Sequence, residues 1–114
     1  MVSTVNLPAF DNLKLETKNG IAYVTVSRPR VLNALNRATV AELRAAFTEV
    51  RDNDEMRLAI LTGEGEKAFV AGADINELAT LSPVEGAEYA RAGQAVFDLI
   101  ENCGKPVIAC VNGF

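Results

Sequence analysis

The spacing of the apolar segments constrains the fold of this chain more than any other feature. Residues 58–61 and 107–111 are short and continuously apolar, which indicates strands buried inside a sheet. The segment between them is too long for a hairpin and carries helical patterns of its own. We therefore expect parallel strands joined by right-handed crossovers, as in an α/β protein.

A two-residue turn predicts how the sheet begins. Asn19-Gly20 is the strongest short hairpin signal, and apolar and polar residues alternate before it over residues 13–18. Residues 21–26 are rich in β-branched side chains and are predicted to return as the antiparallel partner. Residues 1–12 are interpreted as an amino-terminal arm. The predicted element order is β-β-α-β-α-α-β.

Two amphipathic segments predict the longer helices. The first begins at Thr39, with Glu42 in the capping-box position. The second begins after Ser82, with Glu85 completing a capping box, and runs to about Asn102. The side chains predicted to face the core are Val40, Leu43, Phe47 and Val50 on the first helix, and Ala87, Val96, Phe97, Leu99 and Ile100 on the second.

Composition narrows the class of protein. The chain has 114 residues, of which 49% are hydrophobic and 23% charged, which is typical of one small globular domain. The net charge of −4 argues against nucleic acid and anionic membrane surfaces as partners. No apolar run approaches the roughly 18 residues of a transmembrane helix, so no membrane association is expected.

The residue types present limit the available chemistry. Histidine is missing from the sequence, which removes the most common general base and transition-metal ligand. Cys103 and Cys110 lack metal-ligand spacing and are interpreted as buried thiols in a reducing compartment, not as a disulfide. We therefore predict no metal site and a cytoplasmic location.

Residues 67–77 follow the strand at 58–61 and end in a predicted helix start. Asp74 can cap that helix and Glu77 can close a capping box, while Gly72 allows a sharp bend and close approach of a ligand to the backbone. Free N–H groups at a helix start stabilise anionic or carbonyl oxygens. Any function here belongs to the backbone, because the side chains between residues 71 and 73 carry no reactive group. On the local pattern alone, an ordinary strand-to-helix turn is the favoured interpretation.

Four motifs together resemble those of the crotonase (enoyl-CoA hydratase/isomerase) superfamily, and most closely enoyl-CoA hydratases. They occur in the family's order and spacing between Leu13 and Phe114. The motifs are Asn33-Ala34-Leu35-Asn36 after Arg28-Pro29, the strand exit Leu61-Thr62-Gly63, the loop Ala71-Gly72-Ala73-Asp74-Ile75, and Lys105-Pro106 followed by Val111-Asn112-Gly113-Phe114.

The resemblance implies a fold and a partner. The expected fold is the amino-terminal portion of a crotonase-like (ClpP/crotonase) spiral of ββα units, formed by residues 13–114. Members of the family bind acyl-CoA thioesters and assemble as homotrimers or dimers of trimers. No separate cofactor is expected, because coenzyme A is part of the substrate.

The resemblance also implies the site residues. The backbone N–H of Ala73 is the expected first donor of an oxyanion hole that holds the thioester oxygen. Many relatives have Lys where this chain has Asn76, so this chain lacks a cation at that position. Arg30 is a possible phosphate partner or simply a solvated surface charge. The residues implied in coenzyme A binding are Arg30, Val31, Ala71, Gly72, Ala73, Asp74, Ile75 and Asn76.

Two functional hypotheses from different classes follow. The resemblance places the second oxyanion donor and two acid/base glutamates after the Asn-Gly-Phe turn, so we expect this chain to be the front part of a larger protein, inactive alone. That protein would be an enoyl-CoA hydratase of fatty-acid β-oxidation or another crotonase-type enzyme (isomerase, decarboxylase or hydrolase). The alternative is a non-catalytic acyl-CoA-binding or assembly module.

Overall fold

A single mixed sheet organises the structure, a computed structural model that describes residues 2–3 and 7–114. Within these residues the sheet has five strands, whose spatial order follows the sequence order. The strands are β1 (Val2–Ser3), β2 (Leu13–Lys18), β3 (Ile21–Val26), β4 (Leu58–Gly63) and β5 (Val107–Cys110).

The β2–β3 hairpin has the predicted strands and turn. Asn19 (φ 53°) and Gly20 (φ 81°) both occupy the left-handed region, which two-residue hairpin turns of the most common kind require. Strand β1 pairs antiparallel with the end of β2, so part of the predicted arm joins the sheet. Residues 1 and 4–6 of that arm lie outside the described residues.

The later strands are parallel, as predicted. Strand β3 pairs in parallel with β4, and β4 pairs in parallel with β5. Because all three strands run in the same direction, their carboxyl ends lie at the same end of the sheet. The loops that follow these strands are therefore brought together, and α/β sheets bind ligands in the crevice outside the carboxyl ends of their strands.

Helix α1 (Arg37–Asp52) begins two residues before the predicted start, so the predicted Thr39–Glu42 capping box is wrong. The cap is Asn36, whose side chain accepts a hydrogen bond from the Thr39 N–H at 2.8 Å. The Glu42 carboxylate instead accepts hydrogen bonds from the backbone and side chain of Asn12, thirty residues away. The carboxylate that was predicted to close a local capping box is therefore bonded to a residue that is distant in sequence.

The other helices are α2 (Ile75–Leu78) and α3 (Pro83–Asn102), and a 3-10 turn covers Pro29–Val31. Helix α3 has the predicted capping box: the Ser82 hydroxyl accepts from the Glu85 N–H, and the Glu85 carboxylate accepts from the Ser82 N–H. It ends where predicted, and Gly104 follows with a φ of 82°.

The core lies between one face of the sheet and helix α1. The predicted apolar face of α1 is buried, with Phe47 and Val50 fully enclosed. On α3 only part of the prediction holds: Val96 is buried, but Ala87 and Phe97 are exposed, and Leu99 and Ile100 are half-buried.

Strand β5 was predicted to be buried and is largely exposed, because it forms the edge of the sheet in the described residues. The prediction of two buried thiols is accordingly right for Cys103 and wrong for Cys110, which lies on this strand. Both thiols are free. Apolar periodicity identified the strand but could not say what packs against it.

Candidate functional site

Two asparagines from distant parts of the chain hold the loop that leaves β4. The side-chain amides of Asn33 and Asn112 both donate to the carbonyl of Ala68, at 2.9 and 3.1 Å. Asn33 also donates to the Glu64 carbonyl, and Asn112 to the Gly63 carbonyl, at 3.1 and 3.0 Å. We call this pair, Asn33 and Asn112, the asparagine clamp. It fixes residues 63–68 between the segment that follows the 3-10 turn and the exit of β5.

Two glycines allow the loop to pass this close. A Cβ atom at Gly63 would overlap the Phe69 carbonyl and lie 2.5 Å from the Ala68 carbonyl. A Cβ atom at Gly113 would overlap the Lys67 carbonyl. These contacts explain why both motifs carry glycine at a point where backbone meets backbone.

Beyond the clamp, the loop pairs with Leu35 at an isolated parallel bridge. The Leu35 N–H donates to the Gly72 carbonyl, and the Asp74 N–H donates to the Leu35 carbonyl, both at 2.8 Å. In a parallel ladder, the residue between two such bonded groups directs its own N–H and carbonyl to the opposite side. The Ala73 N–H therefore points away from Leu35, and it has no hydrogen-bond acceptor among residues 7–114.

A cavity of about 310 Å³ lies beside this residue. It brings together all of the predicted site residues except Gly72. Leu32 and Ala34 also line it and were missed, although both lie within four residues of Arg30. The lining residues are Arg30, Val31, Leu32, Ala34, Ala71, Ala73, Asp74, Ile75 and Asn76.

The residues that line the cavity differ in charge. Arg30 and Val31 come from the 3-10 turn and are exposed. Ile75 exposes 77% of its surface, Asn76 contributes an uncharged amide, and Asp74 contributes a carboxylate. The cavity therefore combines an accessible cation with apolar contacts, which suits an anionic group attached to an apolar chain.

Asp74 anchors the loop through both carboxylate oxygens. Its Oδ1 accepts from the N–H groups of Asn76 and Glu77, at 3.1 and 3.4 Å, as predicted for a helix cap. The predicted capping box is wrong, because the Glu77 carboxylate accepts from the Arg37 N–H instead. Helix α2 has four residues, so its dipole is small and contributes little to binding an anion.

The other carboxylate oxygen of Asp74 is paired with Arg28. The Arg28 guanidinium donates from Nη1 to Asp74 Oδ2 at 3.1 Å, and both side chains are largely buried. Burial would by itself raise the pKa of Asp74, but hydrogen bonds from Arg28 and from the Glu77 amide hold the pKa below its usual value. Asp74 thus stays ionised and acts as an anchor.

Tyr89 ties helix α3 to the same bridge. Its hydroxyl donates to the Leu35 carbonyl at 2.6 Å, so one carbonyl accepts from both Tyr89 and the Asp74 N–H. Burial, with the negative charges of Glu77 and Asp74, raises the pKa of Tyr89. The tyrosine is therefore a neutral donor at physiological pH.

The described part of the chain lacks two kinds of feature. No group of three or more His, Cys, Asp or Glu side chains there could hold a metal ion. No helix in those residues combines the length and apolar character needed to cross a bilayer.

Sequence comparison places the chain among proteins of one family. The family model described as enoyl-CoA hydratase/isomerase matches residues 16–114. Over 106 residues the chain is 47% identical to a crotonyl-CoA hydratase of Syntrophomonas wolfei, covering 93% of this chain and 41% of that protein. It is 45% identical to a short-chain-enoyl-CoA hydratase of Clostridium acetobutylicum, covering 91% of this chain and 40% of the relative. The chain thus spans about two-fifths of the length of these curated relatives.

Solved structures give the same result for the fold. An enoyl-CoA hydratase from Bacillus anthracis superposes with a TM-score of 0.87 at 31% identity, over 90% of this chain and 40% of that one. Pseudomonas aeruginosa DspI superposes with a TM-score of 0.89 at 26% identity, over 98% of this chain and 42% of that one. The predicted crotonase-like fold is confirmed for this portion.

Proposed function

Because the chain belongs to the enoyl-CoA hydratase/isomerase family, we propose that it supplies the coenzyme A cleft and first oxyanion donor of an enoyl-CoA hydratase. The reaction proposed for the whole protein is syn addition of water to a 2-enoyl-CoA thioester in fatty-acid β-oxidation. The names of the two similar hydratases support this reaction class.

One observation carries the proposal: the Ala73 N–H has no acceptor among the residues that the structure describes, and Ala73 lines a cavity. As water adds to the enoyl double bond, negative charge develops on the thioester oxygen. A fixed amide donor stabilises that charge more than it stabilises the uncharged carbonyl of the bound substrate. The bridge to Leu35 fixes the donor beforehand, so no reorganisation is needed during the reaction.

The remaining lining residues suit the rest of the ligand. Arg30 provides an exposed cation for a phosphate of coenzyme A. Val31, Ala71 and Ile75 provide apolar contact for the pantetheine arm. Asp74 is the carboxylate in the cavity wall, and its oxygens are occupied by Arg28 and two amides. It therefore holds the loop and does not transfer the protons of the reaction.

Binding and turnover test the proposal separately. Nuclear magnetic resonance titration of the chain with butyryl-CoA, a saturated thioester that cannot be hydrated, should shift the amide signals of residues 71–76. Shifts confined to another surface would contradict the proposed cleft. Turnover is measured as loss of the enoyl absorbance of crotonyl-CoA in a preparation that hydrates it.

The matched variants of the turnover test are Ala73→Pro and Ala73→Gly. Proline removes the donor, and the expected loss of kcat is on the order of 100- to 1000-fold. Glycine keeps the N–H and should retain most of the activity. Equal turnover of the proline variant and the parent would refute the role of Ala73, provided that its amide spectrum remains folded.

A second candidate function has its own support. In the described residues the cavity combines binding groups with an anchored carboxylate, which favours acyl-CoA binding without hydration. A native species of 114 residues that binds the thioester without crotonyl-CoA turnover would favour this binding module. Native mass spectrometry makes the distinction, because the hydratase is proposed to be a longer chain that assembles as trimers or dimers of trimers. We propose a cytoplasmic location for the hydratase.

A further inference from the structure

The negative charge of Asp74 lies next to the proposed oxyanion donor. Asp74 follows Ala73 directly in the chain, and its side chain is only 12% exposed. A largely buried charge acts through a lower effective dielectric constant than a solvated one, so its field at the neighbouring amide is weakly screened. Left alone, this carboxylate would oppose the build-up of negative charge at the Ala73 N–H.

Arg28 is placed to cancel that field. Its Nη1 donates to Asp74 Oδ2 at 3.1 Å and to the Ala34 carbonyl at 2.5 Å. Its own backbone N–H donates to the Asn33 side chain at 2.8 Å, so the residue is held at both ends. The Arg28 side chain is 16% exposed, which makes this a pair of neighbouring charges removed together from solvent.

We propose that Arg28 is a positioning residue that neutralises Asp74, and thereby keeps the environment of the Ala73 amide favourable to an oxyanion. The inference rests on the proposed function for its biological meaning. The electrostatic relation among Arg28, Asp74 and Ala73 can nevertheless be measured without substrate. The ion pair then orients the loop and also neutralises the negative charge that would otherwise repel an oxyanion bound at the Ala73 N–H.

Hydrogen exchange of the Ala73 amide measures this field directly. Hydroxide removes the amide proton and leaves a transient anion on the peptide group, so a negative potential slows exchange and a positive potential accelerates it. The Ala73 N–H is unbonded within the described residues and belongs to an exposed residue, so exchange does not require an opening step. Water-exchange nuclear magnetic resonance gives the rate in the chain as it stands.

Four variants separate charge from structure. Arg28→Gln keeps a hydrogen-bond donor but removes the positive charge, and should slow Ala73 exchange about threefold or more. Asp74→Asn should accelerate it, and the double variant should return close to the parent rate. Arg28→Lys keeps the charge and should stay close to the parent. A merely structural role predicts unchanged or faster exchange of the Ala73 amide in Arg28→Gln, because a loosened loop does not protect the amide more than the parent loop does.

Arg51→Gln is the charge-matched control. Arg51 lies in the last turn of α1, and a sixteen-residue helix spans about 24 Å, well beyond the screening length of about 10 Å. This control should leave the Ala73 rate unchanged. Unchanged or faster exchange of the Ala73 amide in Arg28→Gln would overturn the inference. If Arg28→Gln does not fold, unchanged exchange in Asp74→Asn would overturn it. A failure to bind butyryl-CoA would overturn the proposed function alone.

Discussion

The β2–β3 hairpin and the loop over residues 63–74 are held in place by different means. The hairpin is held by its own backbone ladder, in which Leu13 pairs with Val26 and Lys18 with Ile21. The loop is held by residues that lie far away in sequence, through the side chains of the asparagine clamp and through backbone hydrogen bonds to Leu35 and Phe114. A segment built for structure can be encoded locally, whereas a segment that must leave an amide free needs supports from elsewhere.

Substitution of Gly63 should have the largest effect on stability. Gly63→Ala places a Cβ against the backbone of Ala68 and Phe69, which cannot move aside as a side chain can. We expect a loss of about 3 kcal/mol in the free energy of unfolding, at the upper end for overpacking. Urea denaturation measures it, and a loss below about 1 kcal/mol would mean that the loop is not tightly held.

Loss of one clamp residue should rank second. Asn112→Ala leaves the Ala68 carbonyl with one donor and deprives the Gly63 carbonyl of its side-chain donor, so we expect a loss of about 2 kcal/mol. Asn102→Ala is the control, because Asn102 is exposed and donates only to Asp98 within its own helix among the described residues. That control should change stability by no more than about 0.5 kcal/mol. Equal losses in both variants would contradict the clamp.

The hairpin offers a matched glycine with a smaller effect. Gly20→Ala introduces a side chain at a φ of 81°, and its Cβ would meet the flexible end of the Arg57 side chain. The side chain can move, so the expected cost is mainly backbone strain, about 1 kcal/mol. If thermal and urea unfolding gave Gly20→Ala a larger loss than Gly63→Ala, the comparison between the two regions would be reversed.

The smallest effect concerns the pH dependence of stability. The pKa of Asp74 is lowered in the folded state, so its contribution is fully present above the usual carboxyl range near pH 4 and is lost as pH falls through the lowered value. Asp74→Asn should therefore unfold with a shallower loss of stability below about pH 4 than the parent. Parallel curves for the two proteins in acid would show that the Arg28–Asp74 pair contributes nothing to folding.

The sequence predicted those elements whose determinants are local. The Asn19-Gly20 turn and the Ser82–Glu85 capping box each lie within a few residues of the structure they specify, and both predictions are confirmed. The start of α1 was mispredicted although its Asn36 cap is also local, because the Thr39–Glu42 pattern imitated a capping box. Glu42 instead accepts hydrogen bonds from Asn12, a contact that periodicity cannot reveal. The exposure of Phe97 was missed for a related reason: an apolar stripe indicates a face without identifying its partner.

The candidate site shows the same difference between what local sequence predicts and what depends on long-range contacts. Motif resemblance named the residues around Ala73, and the structure brings nearly all of them to one cavity, while their binding roles stay predictions. The sequence analysis named Arg28, Asn33 and Asn112 as members of the family motifs but predicted no contact for any of them. Each acts across 31 or more positions, on Asp74, Glu64 or Ala68, and such pairings depend on the completed sheet.

The central claim is that the Ala73 amide donates to the oxygen of a bound thioester. Isotope-edited infrared spectroscopy of butyryl-CoA carrying ¹³C at the thioester carbonyl measures that bond directly. The account predicts a carbonyl stretch at lower frequency when the thioester is bound to the parent or to Ala73→Gly, and a return toward the free frequency in Ala73→Pro. The same lowered frequency in Ala73→Pro would contradict it.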